Sequence, residues 1–298
     1  MICGVVDIGS NTIRLSVYRC ENGENKLLMH RKTMAGLASY VKDGQLPDEG
    51  VRIICTVLTE YRILLDNLEI PRMYVFATAP LRNISNTEEA VSAVYEETKI
   101  KINVLSGEEE AVLSFAGASL GTKYKKGVMI DLGGGSTEIL RYENDKILTA
   151  RSLPIGSLNL FNKYVKAILP TEDERKTLQK AVRDQIEHAS DDLLPTPHIL
   201  GVGGTIRAVS SVLNHLFSRS DDCKIISAEE IRMLLKRMEK PDGDILHELL
   251  KIIPDRVHTI VPGLTVLEAV TRATGAEDIT VSRCGVREGY LVKSVLKG

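Results

Sequence analysis

One pattern occurs twice in this chain, and it limits the fold more than any other feature. Residues 5–18 read VVDIGSNTIRLSVY and residues 129–142 read MIDLGGGSTEILRY. Each is an apolar run ending in Asp, one apolar residue, glycine with small or polar neighbours, and an outgoing strand. The copies lie 124 residues apart, from Asp7 to Asp131. Each is followed by a third strand-like run, NKLLMHRKTM in one and DKILTARSLP in the other. A supersecondary unit used twice predicts two domains, 1–120 and 121–298, joined near LGTKYKKG. At 298 residues the chain is long enough for two cores. The last helix is a candidate to pack back on the first domain.

Between and after the copies, strands alternate with helices. Val51, Ile54, Leu58, Tyr61 and Leu65 recur at helical spacing behind Pro47. RMYVFAT and INVL read as strands, and TEEAVSAVYEETK as an amphipathic helix between them. Further helices are expected from SGEEEA onward and at 157–166, 171–192, 227–239, 242–251, 263–275 and 286–297. HILGV and DITVS make strands. The class is α/β.

Composition removes several functions. Aromatics make up 4 % with no Trp, too few for a stacking platform on single-stranded nucleic acid. A net charge of −2 gives no global pull toward nucleic acid or a membrane. An anion would have to be held by locally arranged donors. Five scattered Cys predict reduced thiols in a cytoplasm, and six dispersed His argue against zinc. MICGVVD lacks a basic n-region, so no signal peptide is expected, and no run approaches a membrane span.

Three strand-ending turns carry the chemistry: Asp7-Ile-Gly-Ser-Asn, Asp131-Leu-Gly-Gly-Gly-Ser-Thr and Gly201-Val-Gly-Gly-Thr. Glycine lets successive N–H groups converge on one anion. Ser10, Asn11, Gly133, Gly134, Gly135, Ser136, Gly204 and Thr205 are the candidate phosphate contacts. Asp7 and Asp131 end apolar strands, where a carboxylate is costly unless paired or bound to metal. Beside a phosphate they call for a divalent cation. Asp131 and Glu138, with Asp7, are the candidate partners of Mg²⁺, with Mn²⁺ as the alternative. In SGEEEA, Ser106 and Glu109 fit a capping box, and one of Glu108, Glu109 and Glu110 could serve as general base. Arg82 in ATAPLRN suits phosphate oxygens.

Taken together, VVDIGSNTIRL, ATAPLRN, LSGEEEA, IDLGGGSTEI, RSLPIGSLNLF, GVGGTIRAV, VPGLTVLEAV and GVREGYL resemble the Ppx/GppA phosphatase family, the exopolyphosphatases and guanosine pentaphosphate phosphohydrolases. The segments run in family order from residue 5 to residue 291. The resemblance implies two ribonuclease-H-like domains of the actin/hexokinase/Hsp70 superfold with the active site in the cleft between them. It implies Mg²⁺-dependent hydrolysis of a terminal phosphoanhydride. It selects Glu110 as general base and gives Glu138 a share in placing water or metal. Longer members carry an extra helical, HD-like domain that these residues do not match, so a short two-domain form acting on short polyphosphate is expected. Arg283 stands where many members have an acid. The alternatives are a guanosine pentaphosphate phosphohydrolase, a sugar or acetate kinase of the same superfold, and a non-catalytic polyphosphate or alarmone sensor. A homodimer is the candidate assembly.

Overall fold

The computed structural model describes residues 1–21, 24–119, 124–144, 146–189, 193–240 and 243–296. Part of the predicted joint, 120–123, lies outside the described residues. The chain forms two compact units, Met1–Glu110 with Tyr290–Gly298, and Ala111–Gly289.

In the first unit β1 (Ile2–Ile8), β2 (Thr12–Glu21), β3 (Glu24–Met34), β4 (Met73–Ala77) and β5 (Ile102–Val104) form one sheet, ordered β3-β2-β1-β4-β5. The first three strands are antiparallel neighbours, and β4 and β5 add in parallel. This is the ribonuclease-H-like order. Alternation along β1 sends Val6 and Ile8 into the core and Asp7 to the other face. Helix α2 (Asp48–Asn67) follows Pro47, carries Asp48 and Glu49 in its first turn, and covers that core with Ile54, Leu58, Tyr61 and Leu65. The buried Tyr61 hydroxyl donates to the Ile13 carbonyl at 2.9 Å, so no polar group is stranded there. On the opposite face Phe76 meets Tyr290, with ring centroids 4.6 Å apart.

In the second unit β6 (Lys126–Leu132), β7 (Thr137–Glu143), β8 (Lys146–Leu153), β9 (His198–Val202), β10 (Ile225–Ser227) and β11 (Asp278–Val281) are ordered β10-β11-β9-β6-β7-β8. The first unit's order recurs, with β10 added as an antiparallel edge. Val128, Ile130 and Leu132 face the large core, to which α8 (Gly204–Leu216) and α11 (Ile260–Thr274) contribute. Met129, Leu140 and Tyr142 face helix α5 (Gly107–Ala118) through Ala111 and Phe115. By the same alternation Asp131 and Glu138 fall in the α5-facing row, at its end.

Some element boundaries differ from the sequence reading. β10 has three residues, too few to show alternation, and has no counterpart among the expected strands. α11 starts at Ile260 and not at 263, because Pro262 is tolerated in a first turn. The last helix is α-helical over Val286–Tyr290 and continues as a π-type stretch over Leu291–Val295. No helix among the described residues is long and apolar enough to cross a membrane.

Candidate active site

The two glycine turns share more than sequence. In the first, the Gly9 N–H donates to the Thr12 carbonyl at 3.0 Å; in the second, the Gly133 N–H donates to the Ser136 carbonyl at 3.0 Å. These are equivalent positions of the repeat. The carbonyls of both turns are then taken up by a helix that follows the third strand. Ahead of α1 (Leu37–Tyr40), the Ala35 and Gly36 N–H groups donate to Asn11 at 3.1 and 3.0 Å, and the Ala38 N–H within it donates to Ser10 at 3.0 Å. At α6 (Ser157–Tyr164) the Ser157 N–H donates to Gly133 at 3.0 Å, and the Leu158 and Asn159 N–H groups donate to Gly134 at 2.9 and 3.0 Å. The Asn159 side chain adds a 2.6 Å bond to the Gly135 carbonyl. Helix-terminal donors that would otherwise be orphaned hold the turn carbonyls. Among the described residues no hydrogen bond takes up the N–H groups of Ser10, Asn11, Gly134 or Gly135. Each turn is thus fixed through its acceptors and keeps donors for an anion. Gly156 makes this possible in the second unit. A Cβ there would collide with the Gly134 carbonyl and the Gly135–Ser136 peptide.

The carboxylates differ between the copies. Asp131 and Glu138 are directly opposite in the β6–β7 register, 7 % and 1 % exposed. Their equivalents, Asp7 and Arg14, are opposite in β1–β2, so the first copy sets an acid against a base. Two like charges opposed on one face repel. Ser114 of α5 donates to Asp131 Oδ2 at 2.5 Å, and Ser152 donates to Glu138 Oε1 at 2.7 Å. Each hydroxyl satisfies one oxygen of its acid. A buried, oxygen-only pair fits a magnesium ion that keeps most of its waters. No group of three or more His, Cys, Asp or Glu among the described residues could form a full protein cage.

A further candidate acid lies in the first unit. Ser106 and Glu109 form the expected capping box: the Glu109 N–H donates to Ser106 Oγ at 3.1 Å, and the Ser106 N–H donates to Glu109 Oε2 at 2.8 Å. Glu108 and Glu109 are exposed, and Glu110 is buried. The helix face therefore separates three acids that composition could not. Arg82, the last residue of α3 (Ala79–Arg82), donates from Nη1 to Glu110 Oε2 at 2.6 Å and to the Leu105 carbonyl at 3.3 Å. The sequence marked both residues, but not their pairing across 28 positions.

The third turn lies behind the second. Gly203 has φ +108°, open only to glycine, and a Cβ there would meet the Leu132 carbonyl and Asp131 Oδ1. Gly204 opens α8. Thr205 is 1 % exposed, and its hydroxyl is 2.9 Å from Ser157 Oγ. Arg256 Nη1 donates to Thr205 Oγ1 at 3.5 Å. Sequence reasoning passed over Arg256, which sits in a short 3₁₀ stretch, Pro254–Thr259, with no periodic pattern to flag it. Burial pushes the nearby His258 imidazole down, and Arg256 pushes it the same way. Arg283, singled out for its charge, pairs with the exposed Asp222.

Comparison with known proteins agrees with this reading of the repeat. A sequence model of the Ppx/GppA phosphatase family matches residues 16–298. The chain is 27 % identical, over 97 % of its length, to a bifunctional 3-dehydroquinate synthase/phosphatase of Fusobacterium nucleatum, of which it spans 46 %. It is 24 % identical, over 99 % of its length, to exopolyphosphatase 1 of Mycobacterium tuberculosis, of which it spans 88 %. A crystal structure of the Aquifex aeolicus member of the Ppx/GppA family superimposes over 100 % of this chain and 98 % of its own, with a TM-score of 0.82 at 26 % identity.

Proposed function

The chain belongs to the Ppx/GppA phosphatase family, and from that premise we propose that it hydrolyses terminal phosphoanhydride bonds, releasing orthophosphate from inorganic polyphosphate with short chains preferred. The observation that carries this reading is the pair of turns that share one closing hydrogen bond, Gly9 to Thr12 and Gly133 to Ser136, are held through their carbonyls by a following helix, and keep unspent N–H donors. Such donors select phosphate oxygens and carry no net charge of their own.

Water attacks the terminal phosphorus in line, through a loose transition state that needs positioning and charge neutralisation more than covalent help. Ser10, Asn11, Gly134, Gly135 and Ser136 hold phosphate oxygens, while Gly133, a candidate contact in the sequence, has its N–H spent on the Ser136 carbonyl and shapes the turn instead. Glu110 takes the proton of the attacking water. Its Oε2 is bonded to Arg82, so phosphate oxygens that draw the guanidinium away free the carboxylate for that proton. Substrate binding and base release are then one exchange. Asp131 and Glu138 would hold Mg²⁺, which supplies further neutralisation of the phosphate charge. Gly203, Thr205 and Ser157 keep the Asp131 strand end and the second turn in place.

Guanosine pentaphosphate is the second reading, since the family takes in phosphohydrolases of that alarmone. One assay separates the two. Orthophosphate release with Mg²⁺ is measured side by side from tripolyphosphate, long-chain polyphosphate, guanosine pentaphosphate and ATP. Fastest release from tripolyphosphate is expected. Release from the pentaphosphate alone would move the protein to alarmone turnover. Five free thiols fit a cytoplasmic location. The proposed homodimer is tested by light scattering.

A further inference from the structure

A second cavity, of about 490 Å³, lies within the second unit at the opposite end of the sheet from the glycine turn. It opens where β6 and β9 begin and β7 ends. Four residues of β6, Met129–Leu132, separate its lining from that turn, roughly 13 Å at the rise of a strand. The volume is in the range of small-ligand sites.

Its lining joins two chemistries. Lys125, Lys126 and Arg141 supply three cations against the single acid Glu143. Among the described residues neither lysine has an ion-pair partner. Beside them Leu148 and Leu194 are 50 % and 46 % exposed, unusual for large aliphatics placed together. Between these parts stands a preformed ring platform. Tyr124 stacks on His198 with centroids 4.7 Å apart and planes 22° from parallel. His198 Nδ1 is in turn 2.9 Å from Asp278 Oδ2, which fixes the orientation of the imidazole. A platform held before binding loses little entropy when a ligand arrives.

We propose that this cavity binds a nucleoside mono- or diphosphate, with the base against Tyr124 and the leucines and the phosphates against Lys125, Lys126 and Arg141. An inorganic polyphosphate has no use for exposed leucines and a stacked ring pair. A neutral apolar ligand has no use for two adjacent exposed lysines at the cavity. The site does not depend on the hydrolase reading. Being joined to the glycine turn by the β6–β7 hairpin, it is placed to act as an effector site.

The test is calorimetric titration of the full chain with ADP in EDTA, so that turnover is suppressed. ADP should bind, with adenosine and pyrophosphate each at least tenfold weaker. Lys125→Glu/Lys126→Glu and, separately, Leu148→Asp should each weaken ADP at least tenfold while keeping the wild-type circular dichroism. All three side chains are exposed, so folding is not at stake. Ser136→Ala, in the glycine turn, should leave ADP affinity unchanged. No heat up to millimolar ADP would overturn the proposal. So would equal affinity in the lysine variant, loss of ADP binding in Ser136→Ala, or tighter binding of dodecyl phosphate than of ADP.

Discussion

Arg82 and Glu110 meet at 2.6 Å, with side chains only 15 % and 11 % exposed. Removing one partner strands the other charge. Arg82→Ala is therefore expected to destabilise the protein by about 3 kcal/mol, and Arg82→Leu combined with Glu110→Leu to recover most of that, measured by urea unfolding. A neutral Arg82→Ala would show that the pair is not structural. Ser114 is the corresponding control in the second unit. Its hydroxyl orients Asp131, so Ser114→Ala should raise the Mg²⁺ needed for half-maximal phosphate release by about 10–100-fold. The thiols carry a pH prediction. Burial pushes Cys3 and Cys55 from 9.0 up to about 11. Folding holds these protons, so the stability they contribute is full below pH 9.0 and is lost as pH rises toward 11. Native-state iodoacetamide at pH 8 should leave both unmodified, and urea should expose them. None of these partnerships could be read from sequence, because contacts over 28 and 17 positions leave no local pattern.

At the scale of elements, close backbone approaches carry the strain of substitution. Gly289 of α12 (Val286–Tyr290) has no room for a Cβ against the Leu113 carbonyl of α5. The GVREG segment is therefore a packing device that fixes the helix bearing Ser114. Gly289→Ala should cost about 1–3 kcal/mol or more by overpacking, seen as a lower urea midpoint with unchanged slope. Much at this scale was legible. The repeat announced both hairpins, and Ser106 with Glu109 marked the start of α5. What stayed hidden was how each turn is held. The wiring of Ser10 and Asn11 to α1, and of Gly133 and Gly134 to α6, joins elements about 25 residues apart through backbone atoms, on which side-chain patterns are silent. β10 and the stretch around Arg256 are too short to show any period.

At the scale of the molecule, the net charge of −2 gives a polyanion no general attraction, so binding has to be local and matched to the two turns. The proposed Mg²⁺ partners Asp131 and Glu138 both belong to the second unit. Mg²⁺ should raise the melting temperature by mass action, and Asp131→Asn/Glu138→Gln should abolish that shift while folding normally. The central claim is that Glu110 takes the proton of the attacking water. It is tested most directly by orthophosphate release from tripolyphosphate by Glu110→Gln, at saturating substrate and Mg²⁺. A folded protein that still binds tripolyphosphate but releases phosphate about 10²–10⁴-fold more slowly is the expected result. Release at the wild-type rate would contradict it.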